Sequence, residues 1–174
     1  MSSTQGSSRE SFWAIRVISS SPEKTRELGG LLSGFVVPGT FIALFGPLGT
    51  GKTEFVRGFA ESLGIRGVKS PSFTFVNIYE RDGIRLYHFD LYRAEGQVDV
   101  EDIGLTDALA RRDGFIFMEW AERADWLPPE RLDAAFAHAR EHERAIELLC
   151  YLEWFDEDGF LDSLRERAFR YEIY

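Results

Sequence analysis

At 174 residues, 44% hydrophobic and 28% charged, the chain holds enough apolar material to close one core and too little for two large ones. Its net charge of −9, with lysines only at Lys24, Lys52 and Lys69, argues against direct, tight, nonspecific binding of RNA or DNA, which needs an excess of Lys and Arg on one face. The lone Cys150 excludes an internal disulfide, no apolar run approaches the ~20 residues of a membrane span, and the Ser-rich start carries no signal-peptide core, so a cytoplasmic protein is expected.

Residues 1–11 are polar and are expected to form a disordered tail ahead of a domain over residues 12–150. Residues 12–18 read as a first strand. Ser21-Pro22 then supplies an N-cap and an N1 proline for a helix to about residue 33, with Leu28, Leu31, Leu32 and Phe35 as its apolar stripe. TFIALF, residues 40–45, is a short apolar run suited to a buried strand. GPLGTGKT, residues 46–53, follows it and matches G-x-x-x-x-G-K-[ST]. A helix over 53–64 comes next, with Phe55, Phe59 and Leu63 at helical spacing and Gly64 as its C-cap. Strand, glycine loop and helix in that order is the setting the motif requires.

Asp82-Gly83 lies between alternating runs at 73–80 and 84–89 and reads as a hairpin turn. Residues 98–111 have helical spacing through Ile103, Leu105 and Leu109, and 114–120 form a continuous apolar strand. Two more alternating runs, 132–139 and 145–152, suggest antiparallel strands at the sheet edge. An amphipathic helix over 158–169, with Leu161, Leu164 and Ala168 on one face, makes residues 151–174 a helical extension packed on the same domain. The expected fold is α/β: a mixed sheet like that of P-loop NTPases, flanked by helices, with antiparallel strands at its edge.

The glycine loop implies a bound nucleoside triphosphate. Successive backbone N–H groups turn inward around phosphate oxygens, Lys52 reaches the β and γ phosphates, and the Thr53 hydroxyl is placed to ligate Mg²⁺. A second side to the metal site must come from acids at strand ends. Glu119 closes FIFMEW and Asp90 closes the run from Ile84, and on pattern either is a Walker B candidate. Two acids also allow one to serve the metal shell and the other to orient water. His88, two positions before Asp90, shares its strand face, but with His138 and His142 it shows no metal-ligand spacing. Trp120 either walls the site or fills core, and Cys150 reads as a small buried hydrophobe. A small-molecule kinase would share the loop and acids but needs a lid, where the chain has a hairpin. A GTPase would carry N-K-x-D, which is missing. A noncatalytic module using nucleotide as structural glue is the third alternative.

GPLGTGKT, SPSFTFVN, YHFDLYR and MEWAER, in that order and spacing over residues 25–144, resemble the bacterial TsaE family. The resemblance implies a small ATPase required for threonylcarbamoyl modification of an adenosine beside the tRNA anticodon. It further implies work within an assembly, on a heterodimer of two related proteins that transfer the threonylcarbamoyl group, with ATP hydrolysis resetting the complex and tRNA contacted only through it. Carried onto this sequence, the nucleotide-binding residues are Gly46, Pro47, Leu48, Gly49, Thr50, Gly51, Lys52, Thr53 and Glu54, with Asp90 and Arg144. Lys52, Asp90 and Glu119 form the catalytic set, and Thr53 and Glu119 the Mg²⁺ ligands. Asp90 supports the metal or orders water, residues 69–74 act as a nucleotide-dependent switch, and Arg144 with residues 21–25 falls where the family shapes its adenine pocket. Low activity in isolation is the corollary. Arg57, Arg93 and Arg123 are the arginines considered for the transferred phosphoryl, with surface ion pairing as the simpler reading of each. Two positions depart from the family pattern. Glu54 replaces a hydroxyl residue and places a carboxylate near the α phosphate, where it is expected to weaken binding unless it turns outward or meets Arg57. Ala121 replaces a proline in the EWPER segment.

Overall fold

The computed structural model describes residues 13–71 and 74–174, so the expected tail, position 12 of the first expected strand and position 73 of the third lie outside the described residues. In chain order the elements are β1 (Trp13–Ser19), α1 (Pro22–Leu32), β2 (Phe41–Phe45), α2 (Lys52–Ser62), β3 (Val76–Arg81), β4 (Ile84–Asp90) and α3 (Leu105–Arg111). β5 (Gly114–Glu119), a 3₁₀ turn (Ala121–Arg123), β6 (Leu132–His138), β7 (Arg144–Cys150), α4 (Glu157–Glu166) and β8 (Arg170–Ile173) follow. Among the described residues, the eight strands form one sheet in the order β3-β4-β5-β2-β6-β7-β1-β8. The central four, β4, β5, β2 and β6, run parallel, and the outer strands pair antiparallel. FIALF and GFIFME are apolar nearly throughout because both faces of the central parallel strands are covered.

The helices divide between the two faces. Alternate strand residues such as Ile42, Leu44, Phe115 and Phe117 pack with Leu28, Phe55, Phe59 and Phe160 of α1, α2 and α4. Phe41, Ala43, Ile116 and Met118 point the other way, toward Leu105 and Ala108 of α3. Period-two alternation therefore decides which strand residues reach the start of α2. Leu86, His88 and Asp90 of β4, with Phe115, Phe117 and Glu119 of β5, all fall on the α2 side.

Helix α2 is seated against α1 by two glycines. A Cβ at Gly29 would stand 2.1 Å from the Phe55 carbonyl oxygen, and one at Gly58 would stand 1.9 Å from that of Arg26. Gly58→Ala must push the helices apart. It is expected to cost about 3 kcal/mol, the upper part of the range for overpacked sites, and to lower Tm by ~6–12 °C for a domain of this size, measured by thermal unfolding followed by circular dichroism.

The mixed sheet flanked by helices is the fold expected, with corrections in its parts. β6 and β7 are interior strands: β6 runs parallel to β2, β7 is covered by β1, and the edges belong to β3 and β8. Alternation in a sequence reports which faces are covered, and a strand's neighbours are set by long-range pairing. The helix expected over 98–111 begins only at Leu105, because Gly104 adopts φ +79° and Val98 is held in a bridge to Ala124. After α4 the chain turns at Ala168 and returns as β8 along β1, so residues 151–174 add a strand as well as a helix. Asp82 and Gly83 do form the hairpin turn, both at positive φ.

Candidate active site

The apolar strand β2 delivers the chain to residues 46–53 at its carboxyl end, and α2 opens at Lys52. Gly46, Gly49 and Gly51 take φ of +122°, +78° and +102°, conformations that let consecutive amides face inward. At Gly46 there is also no room for a side chain, since a Cβ would lie 2.2 Å from the Phe136 carbonyl oxygen on β6. Thr50 is buried and donates its hydroxyl to the Pro47 carbonyl at 2.8 Å, bracing the turn. Lys52 is buried, with Nζ donating to the carbonyls of Gly46 at 2.6 Å and Pro47 at 2.9 Å and lying 4.3 Å from the centre of the Trp120 ring. Burial pushes its pKa down, against the opposing charges of Glu119, Glu122 and Asp90.

Across the cleft, β4 and β5 place Asp90 directly opposite Glu119 in their parallel register, and both carboxylates are buried. Thr53 Oγ1 donates to Glu119 Oε1 at 2.8 Å, and His88 Nε2 lies 2.8 Å from the same oxygen. Asp90 Oδ1 accepts the Tyr92 amide at 2.8 Å, while Oδ2 accepts the Ser70 hydroxyl. The described part of the 69–74 segment is thus tied to the second strand-end acid. Lys69 is held in turn by Tyr79 and Asn77 of β3. An open cleft of about 390 Å³ is lined by Leu48, Gly49, Gly51, Lys52, Thr53, Glu54, Asp90 and Glu119, together with Arg57, Ser70, Tyr92 and Trp120.

Sequence reasoning named the loop and both acids, and the fold gathers them round this cleft. Gly46, Pro47 and Thr50 sit behind the lining and shape it through Lys52 and the turn. Arg144 lies at the start of β7 opposite Ser19, with Nη1 donating to the Glu143 carbonyl at 2.9 Å, and is not among the residues lining the cleft. Thr25, in the other stretch assigned to an adenine pocket, does reach the loop: its Cγ2 would stand 3.4 Å from a Cβ at Gly51. Trp120 walls the cleft, the first of its two readings from sequence, whereas Ser70, expected only as part of the 69–74 switch, and Tyr92, expected in no role, line it as well. Their signal was proximity to Asp90 and Glu119 once β4 and β5 are placed side by side.

Glu54 receives both Arg26 Nε and Arg57 Nη1, so its carboxylate is paired on two sides. Arg57 also donates Nε to the Val68 carbonyl at 3.0 Å. The exception attached to this residue is met, and the expected repulsion loses its source. Glu54→Thr should then shift ATP affinity by no more than about fivefold, the scale of an exposed ion pair, read by calorimetry. Arg123 donates Nη1 to the carbonyls of Leu91, Tyr92 and Ala94 and stacks on Trp120, which makes it a clamp on the segment after Asp90.

A glycine nest between a buried parallel strand and a helix, with lysine and threonine at the helix start and two carboxylates at neighbouring strand ends, defines a P-loop NTPase-like fold. The family described as "Threonylcarbamoyl adenosine biosynthesis protein TsaE" matches residues 19–146. The chain belongs to the TsaE family, which is involved in tRNA threonylcarbamoyladenosine biosynthesis. It is 42% identical over 127 residues to the tRNA threonylcarbamoyladenosine biosynthesis protein TsaE of Bacillus subtilis, covering 72% of this chain and 78% of that one. The protein of the same name from Nostoc sp. is 35% identical over 130 residues, covering 72% and 80%. The crystal structure of Bacillus subtilis YdiB superposes with a TM-score of 0.67 at 30% identity, over 88% of this chain and 95% of that one. Among the described residues no helix is long and apolar enough to cross a membrane.

Proposed function

We propose that this chain is an ATP hydrolase of tRNA threonylcarbamoyladenosine synthesis, acting within a multiprotein complex whose catalytic cycle it drives. The observation that carries the reading is the hydrogen bond of Thr53 Oγ1 to Glu119 Oε1 at 2.8 Å, beside Asp90 and across from Lys52. A hydroxyl and a carboxylate from opposite walls are hard oxygen donors of the kind Mg²⁺ takes, with room left for water and phosphate oxygens. Thr53 and Glu119 would hold the ion, which supplies neutralisation of charge on the phosphate oxygens when bound. Lys52 would neutralise the β and γ phosphates, its ammonium already oriented by two carbonyls. Asp90 would orient the attacking water, and its bond to Ser70 supports a link between hydrolysis and the position of the 69–74 segment.

The partner in this reading is the heterodimer that transfers the threonylcarbamoyl group, and tRNA is gripped elsewhere in the assembly, consistent with a charge of −9. Low activity in isolation is supported by the engagement of Arg57 with Glu54 and of Arg123 with backbone carbonyls, which occupies two of the three arginines considered for the transferred phosphoryl. The test is phosphate release from ATP by the full chain, alone and with the heterodimer. Stimulated release of free phosphate is expected. A phosphorylated acceptor in place of free phosphate would make the chain a kinase, and failure to bind the heterodimer with or without ATP would remove the assembly from the reading.

A further inference from the structure

Buried histidine at a nucleotide site needs a reason, because its ring exposes two polar nitrogens to an environment that must satisfy them. His88 is fully buried on β4, on the α2 side of the sheet, one alternation before Asp90. Its Nε2 lies 2.8 Å from Glu119 Oε1, and its Nδ1 has no hydrogen-bond partner among the described residues. A carboxylate oxygen only accepts, so the tautomer that fits carries its hydrogen on Nε2. The reverse tautomer would bury an unpartnered N–H at Nδ1 and set two lone pairs against each other. Oε1 thus receives two donors from different elements, Thr53 from α2 and His88 from β4. Together they fix the carboxylate's rotation and leave Oε2 as the oxygen without a donor among the described residues.

We infer that His88 is a positioning residue for Glu119, whose Nε2–H holds the carboxylate in the orientation that binds the divalent cation. The inference rests on the ATPase reading above and deepens it. Thr53 is itself one of the two proposed ligands, so its bond to Glu119 joins the ligands to each other. His88 is the anchor that ties the Glu119 carboxylate to the neighbouring strand, β4. Hydrogen bonds of this kind behind a metal ligand are worth ten- to hundredfold in metal affinity.

Side-chain reach gives a sharp test. The amide nitrogen of glutamine extends to about where Nε2 stands, whereas that of asparagine extends only to the position of Nδ1. Mn²⁺ binding to the full chain saturated with ADP, followed by paramagnetic resonance against ADP alone, should weaken on the order of ten- to hundredfold in His88→Asn and His88→Leu and stay near the parent value in His88→Gln. In the assembled system the same two variants should lower kcat with the KM for ATP little changed. A role limited to filling space would move the three variants together, in step with their melting temperatures, and would overturn the proposal. So would parent-like Mn²⁺ affinity in His88→Asn and His88→Leu while Glu119→Gln loses it, an outcome that leaves the ATPase reading standing. Parent-like affinity in Glu119→Gln itself would overturn the metal assignment and this inference with it. If His88→Leu does not fold, the contrast between the Gln and Asn variants decides.

Discussion

Lys52→Ala is expected to lose ATP binding by at least about a hundredfold and phosphate release with it, the scale of removing a charged group dedicated to phosphate. The reason lies in the charge of the cleft once the ammonium is gone. Glu119 and Asp90 line it, Glu54 being already paired with Arg26 and Arg57, and Lys52 lies in the field of both strand-end acids. A triphosphate entering that space would meet carboxylates first. Truncation also strips the donor from the Gly46 and Pro47 carbonyls, which the ammonium now draws together across the loop. Lys52→Arg should not rescue, because a planar guanidinium cannot occupy the compact position between two carbonyls and the Trp120 ring. Calorimetric titration with Mg²⁺ and ATP measures the effect. Parent-like affinity in the alanine variant would remove Lys52 from the phosphate site.

How much of this was readable beforehand depends on whether the information is local. FIALF followed by GPLGTGKT is a local pattern: a run apolar on both faces, then glycines, then a helix whose spacing is visible in Phe55 and Phe59. The Asp82-Gly83 turn is local in the same sense and forms as expected, while the strand before it, expected from residue 73, pairs with β4 only from Val76. Neighbourhood in the sheet is not local. Residues 132–138 alternate because β6 exposes part of one face, and nothing in that alternation says that β2 lies on one side and β7 on the other. β8 is short and polar, so only its register with β1 defines it as a strand. The same limit applies to the site. Glu119 and Asp90 stand out as acids ending apolar runs, yet the contact of His88 with Glu119 needs the β4–β5 register, and the second partner of Glu54 comes from α1, 28 positions earlier. Arg144 was placed by resemblance alone, and its guanidinium donates to a neighbouring carbonyl outside the cleft lining.

Asp90→Asn is expected to retain ATP and to lower phosphate release about a hundredfold in the assembled system, within the range for a group that acts on the attacking water. The substitution isolates charge from shape. Oδ1 accepts the Tyr92 amide, which the asparagine carbonyl oxygen can still do, and the hydroxyl of Ser70 can reverse its role and accept from the new amide nitrogen. The turn after β4 and its tie to the 69–74 segment are therefore preserved, and so is the Arg123 clamp on the next carbonyls. What disappears is the negative charge beside Glu119 and the ability to take a proton from water. Ser70→Ala does the opposite: it keeps the charge and cuts the tie. If Asp90 acts on water, the asparagine variant loses far more turnover than the alanine variant at position 70. If its work is only to hold the segment, Ser70→Ala should be the more damaging of the two. Phosphate release and calorimetric affinity measured on both variants, with the heterodimer present, separate these roles, and parent-like turnover in Asp90→Asn would exclude the acid from the chemistry.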